Sequence, residues 1–187
     1  RPNPVDFNFK PFDGIVGFAE ENGMAVRGHT LMWHRPKWQP SWLEAYDFGS
    51  KPATEAARLL TTHINTGTDR YRGRTLSYDV VNETVLEDST LAETAISKAI
   101  GGTETLVDLA FHTARQQLPD AELVYNDYMS WEPGNEKHRA GVLKLLEGFR
   151  KRNVPVDALG VQSHIRIDTY DPSTGTGPKQ EREWRKF

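Results

Sequence analysis

The sequence predicts an α/β fold built on a parallel sheet, and three observations indicate it. Amphipathic helical stretches alternate with short strands along the 187 residues. The strands are apolar along most of their length, which is typical of parallel strands joined by right-handed crossovers. All four strands finish in polar or aromatic residues, and the carboxyl ends of parallel strands lie on one face of a sheet or barrel. We therefore expect one functional site shared by four strand ends.

The first half of the chain contains two predicted helices and two predicted strands. Apolar residues recur at helical spacing over 12–19, and Gly23 supplies the left-handed residue that ends such a helix. Residues 24–31 form a short strand, and a loop punctuated by prolines then carries Trp33, Trp38 and Trp42. Apolar spacing predicts a second helix from Ala53, and residues 75–83 form the second strand.

The second half repeats this alternation. A helical stripe over 106–114 is closed by Pro119, and residues 121–128 form the third strand. Asn135 is the predicted N-cap of the next helix, and residues 157–164 form the fourth strand. A loop over 168–179 follows, and the charged stretch 181–187 has no stop signal, so we expect the chain to be a piece of a longer protein.

Composition excludes several classes of function. With 23 basic and 26 acidic residues, the formal charge of −3 offers no footprint for nucleic acid or an anionic membrane, and a neutral substrate fits better. No apolar stretch is long enough to span a membrane, and the N-terminus lacks the charged start and apolar run of a signal peptide. The absence of cysteine removes disulfides, thiolate catalysis and thiolate metal sites.

Glu83, at the end of the second strand, is the strongest catalytic candidate. A carboxyl group held beside aromatic rings is poorly solvated, which favours the protonated form that a general acid requires. Asn82 beside it offers a neutral donor for a sugar hydroxyl. Alternatively, Glu83 is a surface residue that caps the following turn. The polar ends of the other three strands favour the catalytic interpretation.

Histidines and tryptophans supply further candidates near the strand ends. His29, His34 and His164 have no metal-ligand spacing, so we expect hydrogen-bonding groups in a polar cleft rather than a metal site. The three tryptophans of the first loop are either core residues or a stacking platform for flat apolar sugar faces.

Two aspartates complete the set of carboxylates near strand ends. Asp79 lies within the second strand, where an internal structural hydrogen bond is its expected role. Asp127 ends the third strand, and a structural role is favoured over that of a second catalytic acid. Hydrolysis of a glycosidic bond normally needs two carboxylates, and the sequence offers one convincing candidate.

Four motifs in order, "GHTLMWH", "YDVVNE", "NDY" and "GVQSH", resemble glycoside hydrolase family 10. This family comprises endo-1,4-β-xylanases of (β/α)8 TIM-barrel fold. The resemblance covers nearly the whole chain and implies that residues 1–187 are a partial catalytic barrel, roughly strands three to six of the eight with their helices, with the terminal strands absent.

The resemblance also implies roles for the catalytic residues. Glu83 would be the general acid/base of a retaining mechanism. Asn82 would bind the 2-hydroxyl of the sugar under attack, and His164 would hydrogen-bond the nucleophile. That nucleophile, a Glu of strand seven, would lie beyond Phe187, so we expect residues 1–187 alone to be inactive.

Other implied properties concern the substrate and the state of the protein. His29 and Trp33 would line the subsite of the attacked sugar, and Tyr128 would contact the sugar on the leaving-group side. The substrate would be xylan or a xylo-oligosaccharide, with no metal or organic cofactor and no nucleic-acid or membrane partner. The resemblance implies a monomer when complete, and a secreted or periplasmic location.

Two departures from the family pattern stand out. Tyr78 occupies a position that is usually Trp, which we expect to change packing without touching the chemistry. Pro36 stands where the family commonly has a sugar-binding Gln, which places affinity on the glycone side in question. A barrel glycosidase acting on another β-glucan and a non-catalytic carbohydrate-binding barrel are the alternative functions.

Overall fold

The computed structural model describes residues 1–128 and 134–164, which form four strands and six helices. The strands are β1 (Arg27–Trp33), β2 (Ser77–Asn82), β3 (Glu122–Asp127) and β4 (Ala158–Val161). The helices are α1 (Lys10–Glu21), α2 (Ser41–Glu44), α3 (Pro52–Arg70), α4 (Ala95–Ile100), α5 (Thr103–Gln117) and α6 (Glu136–Lys151), and a 3₁₀ turn spans Pro36–Trp38. The predicted loop over 168–179 and the stretch 181–187 lie outside the described residues.

The four strands form one parallel sheet in the order β1-β2-β3-β4. Each strand therefore pairs with the next one in sequence, as in a barrel, whereas a doubly wound sheet reverses its order at a switch point. The register places Trp33 opposite Asn82, and Asn82 opposite Asn126, so the carboxyl ends of β1, β2 and β3 lie level at one edge. This arrangement confirms the predicted parallel α/β class.

The predicted elements are confirmed with small shifts of their ends. Helix α1 ends before Gly23, which has a φ of 66°. Strand β1 extends through Trp33, so the prediction that this residue lies in the loop was wrong; pairing with Asn82 holds it in the sheet. Sequence reasoning also missed the two short helices α2 and α4, the second of which begins with a capping box between Thr94 and Ser97.

The core lies between the sheet and the helices that follow its strands. Every residue of β2 is buried, as expected for a strand covered on both faces. Helices α3, α5 and α6 bury Ile64, Phe111 and Phe149, and each such side chain contributes roughly 1.5–3 kcal/mol by leaving water. This packing fixes the positions of the strands, and so of the loops that follow their carboxyl ends.

Tyr78, one of the two departures from the family pattern, is packed inside this frame. The residue is buried, and its ring lies so close to Gly28 that a β-carbon at that position would come within 2.2 Å of a ring atom. Tyr78 lines a cavity of about 200 Å³ beside Phe7, Phe9 and Phe12. Its role in the described structure is packing between β2, β1 and the N-terminal segment.

Within residues 1–128 and 134–164, no helix is both long and apolar enough to cross a bilayer.

Candidate active site

An open cleft of about 830 Å³ lies at the carboxyl ends of the strands and is lined by residues from all four of them. The six predicted site residues all line it: His29, Trp33, Asn82, Glu83, Tyr128 and His164. The geometric part of the sequence prediction, that the strand ends meet in one place, is therefore observed. The roles of the six residues stay predictions.

Glu83 follows the last residue of β2, and its backbone turns there. Its φ of 55° is in the left-handed region, which costs a residue with a side chain about 1–2 kcal/mol. The amide of Glu83 donates to the carbonyl of Asn126 at 2.9 Å, which holds this turn against β3. Strain of this kind is common at functional sites, where the surrounding structure maintains it.

Both carboxylate oxygens of Glu83 accept a hydrogen bond. Oε2 accepts from the indole nitrogen of Trp33 and Oε1 accepts from Nε2 of Gln162, each at 2.9 Å. The first donor comes from β1 and the second follows β4, so the carboxylate is held from both sides of the cleft. Glu83 is thus fixed against the cleft wall and does not point into bulk water.

An amide cluster surrounds this carboxylate. Asn82 is fully buried, and its Oδ1 lies 2.9 Å from Nδ2 of Asn126 and 3.1 Å from Nε2 of Gln162. With its amide turned over, Asn82 accepts from the Trp33 indole and donates to the Asn126 carbonyl, both at 3.2 Å. In either orientation Asn82 is anchored on neighbouring strands.

His164 joins the cluster through Gln162. One of its ring nitrogens, Nε2, lies 2.8 Å from Oε1 of Gln162, while the other end of that amide donates to Glu83. Gln162 therefore connects the histidine to the carboxylate. From the sequence, Gln162 was only one residue of the polar end of the fourth strand. Nothing in the sequence indicated that it would lie between Glu83 and His164.

Asp79 holds His29 in place. Its side chain is only 5% exposed, and its carboxylate accepts from Nδ1 of His29 at 2.8 Å and forms an ion pair with Arg27. Burial opposes ionisation, but the hydrogen bonds from His29 and Arg27 prevail and hold the pKa of Asp79 below its usual value. Because Nδ1 donates, Nε2 of a neutral His29 is an acceptor. This internal bonding confirms the role predicted for Asp79.

Two of the three tryptophans form one wall of the cleft. Trp33 and Trp38 are stacked, with ring centroids 4.8 Å apart and planes inclined by 26°. Trp42 does not line the cleft; its indole nitrogen donates to the carbonyl of Arg1 at 3.2 Å and its ring packs edge-on against Tyr46. Two of the three rings therefore line the cleft, and the third lies in α2; a sugar-stacking role for the two stays a prediction.

Tyr128, which follows β3, also lines the cleft and is held on several sides. Its hydroxyl accepts from Arg35 at 2.7 Å and donates to Glu87 at 2.8 Å, while its ring stacks on His138 with centroids 4.2 Å apart. Burial and the hydrogen bond to Glu87 raise the pKa of Tyr128. The hydroxyl therefore stays protonated, and the ring has a fixed place. Arg35 and Glu87 were not singled out from the sequence.

Asp127 and His34 lie outside the cleft, in the protein interior. Asp127 is fully buried and accepts hydrogen bonds from the hydroxyl of Tyr125 and, at 2.8 Å, from the amide of Tyr128. This supports the structural role that the sequence favoured.

For His34 the prediction of a cleft residue was wrong. The side chain is fully buried with Nε2 3.0 Å from the carbonyl of Ala92, and burial lowers its pKa to about 4. The physical reason is that the amide of His34 donates to the Asn82 carbonyl, which continues the ladder by one residue beyond Trp33. Over 1–128 and 134–164, no group of three or more potential ligands is arranged to hold a metal ion.

Comparison with known protein families identifies this architecture. The family model for glycosyl hydrolase family 10 matches residues 1–179. Endo-1,4-beta-xylanase B of Thermotoga neapolitana is 36% identical over 165 residues, covering 88% of this chain and 45% of the relative. Endo-1,4-beta-xylanase 3 of Hypocrea jecorina is 34% identical over 163 residues, covering 87% of this chain and 44% of the relative.

Solved structures agree with the sequence relatives. Native xylanase 10B from Thermotoga maritima has a TM-score of 0.80 at 33% identity, with 100% of this chain and 53% of that chain covered. Xylanase 10B from Thermotoga petrophila, solved in complex with xylobiose, has the same TM-score, identity and coverage. The chain spans less than half the length of the two curated relatives, and the sheet described above is part of a TIM barrel. On these matches, the chain belongs to glycosyl hydrolase family 10.

Proposed function

We propose that this chain forms the acid/base part of a retaining endo-1,4-β-xylanase, with Glu83 as the general acid/base. The observation that carries the proposal is the position of Glu83, whose carboxylate is fixed between Trp33 and Gln162 in a cleft lined by all four strands. The relatives named above are xylanases, and one was solved with xylobiose, which supports a β-1,4-linked xylose polymer as the substrate.

In the first step Glu83 donates its proton to the glycosidic oxygen while a second carboxylate attacks the anomeric carbon. The bond between the anomeric carbon and the leaving oxygen breaks, and a covalent glycosyl-enzyme forms with the proton on the departing sugar. Asn82 is placed beside Glu83, where its amide can hold the 2-hydroxyl as positive charge develops on the ring. Tyr128 would contact the departing sugar.

In the second step the ionised Glu83 takes a proton from water, and the resulting hydroxide attacks the anomeric carbon. The second carboxylate leaves, and the configuration of the sugar is retained after two inversions. Trp33 and Gln162 suit this exchange of roles, because each donates one hydrogen bond to the carboxylate and orients it in both steps.

We propose that the second carboxylate comes from a strand outside residues 1–187. In the described part of the chain, the other carboxylate that lines the cleft is Asp79, and it is already committed to His29 and Arg27. A retaining enzyme needs its two carboxyl groups about 5–5.5 Å apart. We accordingly propose that residues 1–187 make up strands three to six of the barrel and act as a monomer when completed, and that the enzyme works outside the cytoplasm, where polymeric xylan occurs.

The test is an assay of the complete barrel on xylan, cellulose and mannan, with release of reducing sugar as the readout. We expect xylan to be preferred, the product to form first in the β configuration by NMR, and residues 1–187 alone to release no sugar. A preference for cellulose or mannan would favour another β-glucan as substrate. Binding of xylan without hydrolysis, in a gene with no Glu at the seventh strand end, would favour a carbohydrate-binding barrel.

A further inference from the structure

We propose that Trp38 is a substrate-binding residue of this cleft, whose exposed ring stacks on a pyranose ring of the substrate. The inference rests on the proposed function. Trp38 is 50% exposed, although its ring lies in the cleft wall beside Trp33. A large apolar ring exposed inside a cleft is a candidate contact for a ligand.

The backbone around Trp38 holds its ring in place. Pro36 begins the 3₁₀ turn, and the amide of Trp38 donates to the carbonyl of Arg35 at 3.0 Å. The fixed φ of proline narrows the conformations of this turn before any ligand binds. One ring face then rests on Trp33 at a centroid distance of 4.8 Å. A ring ordered in this way loses little conformational freedom when a sugar packs against it.

The position of the ring relative to Glu83 indicates which sugar it would contact. Trp33 connects the two, because it stacks on Trp38 and donates its indole hydrogen to the carboxylate. Trp38 is thus one ring further from the acid than Trp33. A pyranose next to the attacked sugar, or the attacked sugar itself, would meet this ring.

An aromatic ring and an amide recognise different features of a sugar. An amide hydrogen-bonds particular hydroxyls and rejects a sugar that lacks them, because the buried amide would be left unpaired. The side chain of Pro36 has no hydrogen-bonding group, and a Trp ring contacts the C–H face that β-linked pyranoses share. We therefore infer that this subsite binds by shape, with weaker discrimination between xylose and glucose units.

Lys37 offers a competing explanation that can be tested. Its ammonium nitrogen lies 4.6 Å from the centroid of the Trp38 ring, at cation–π distance. If the cation and not the ring held the substrate, removal of Lys37 would weaken binding as strongly as removal of the ring. The side chain is exposed and flexible, so we expect it to swing aside when a sugar stacks.

The experiment compares Trp38→Ala, Trp38→Phe and Lys37→Met in the complete enzyme, with kcat and KM measured on xylo-oligosaccharides and cello-oligosaccharides. We expect Trp38→Ala to raise KM for both series of oligosaccharides roughly two- to tenfold, with kcat nearly unchanged. Trp38→Phe is expected to restore most of the lost affinity. Lys37→Met is expected to leave KM near the wild-type value. Thermal unfolding of each variant controls for folding.

Three outcomes would overturn the inference while leaving the proposed function intact. These are an active enzyme in which Trp38→Ala keeps the wild-type KM, a fall in kcat alone, and an increase in KM with Lys37→Met that equals that of Trp38→Ala. A fall in kcat alone would make Trp38 a positioning residue for Trp33. If the wild-type enzyme neither binds nor hydrolyses these oligosaccharides, the proposed function is wrong and the inference fails with it.

Discussion

Replacement of Glu83 by Gln tests the proposed chemistry at its centre. The substitution keeps the size of the side chain and removes the transferable proton. General acid and base catalysis contributes about 10²–10⁴-fold to rate, so we expect kcat/KM on xylan to fall by that factor, equivalent to about 3–5 kcal/mol of barrier. The expected loss is larger for xylan than for a substrate with an activated leaving group, because a sugar alkoxide leaves poorly without a proton.

The structure adds a second, smaller effect. Each carboxylate oxygen of Glu83 accepts one N–H, from Trp33 and Gln162. An amide has one oxygen, so in Glu83→Gln one of these donors would face an NH2 group. A hydrogen bond to a charged group contributes about 1.5–3 kcal/mol, and the half-buried position of Glu83 places the expected loss of stability at the lower end of this range.

The assay compares xylan with an aryl xylobioside whose phenolate leaves without protonation. We expect Glu83→Gln to lose at least tenfold less activity on the first step with the aryl substrate than with xylan. Glu93→Gln is the matched control, because Glu93 lies on the same connection after β2 and is exposed, with Lys98 at 3.6 Å. An equal loss on both substrates, or a loss on xylan below tenfold, would refute Glu83 as the acid.

Three further predictions concern stability and the amide cluster. Gly28→Ala is expected to destabilise the protein by about 1–3 kcal/mol, because the new methyl group meets the Tyr78 ring, whereas Gly14→Ala on the surface of α1, with no atom within 4 Å, is expected to be neutral or stabilising in the same urea titration. His34 has its pKa lowered from 6.5 to about 4, so the unfolded state binds more protons between these values, and stability is fully present above pH 6.5 and lost as the pH falls toward 4. At about 1.4 kcal/mol per pH unit the contribution of His34 to this loss reaches about 3 kcal/mol. His63, whose pKa burial likewise lowers to about 4, adds to it, and a flat urea midpoint between pH 7 and 4 in wild type would contradict both contributions. Gln162→Leu is expected to lower kcat/KM on xylan about tenfold, because the acid loses one of its two orienting donors; wild-type kinetics would show that this bond is dispensable.

The fold was predictable because its signals are local and repeated. Helical spacing of apolar residues over 12–19 and 106–114 predicted α1 and α5, and Gly23 marked the end of the first of them. Short elements were missed because they contain too few residues for a repeated pattern. Helix α4 has six residues, too few for a periodic pattern, and depends on the capping box between Thr94 and Ser97.

The candidate site was predictable only in outline. Polar strand ends in a parallel fold must share an edge, so Asn82, Glu83 and Tyr128 could be placed together from the sequence. His34 shows the limit of this rule. It follows Trp33 directly, yet its amide continues the ladder and its side chain enters the interior, a direction that depends on where pairing stops and not on residue type.

By itself, the sequence determined the class of the fold and the family, because periodicity and short motifs are visible without coordinates. Only the tertiary structure decided which neighbours each polar group has. Gln162 reaches Glu83 from 79 positions away, and Trp38 rests on Trp33 because a 3₁₀ turn folds it back. Contacts of this kind join separate segments, so their geometry follows from packing of the whole sheet and not from any local stretch of residues.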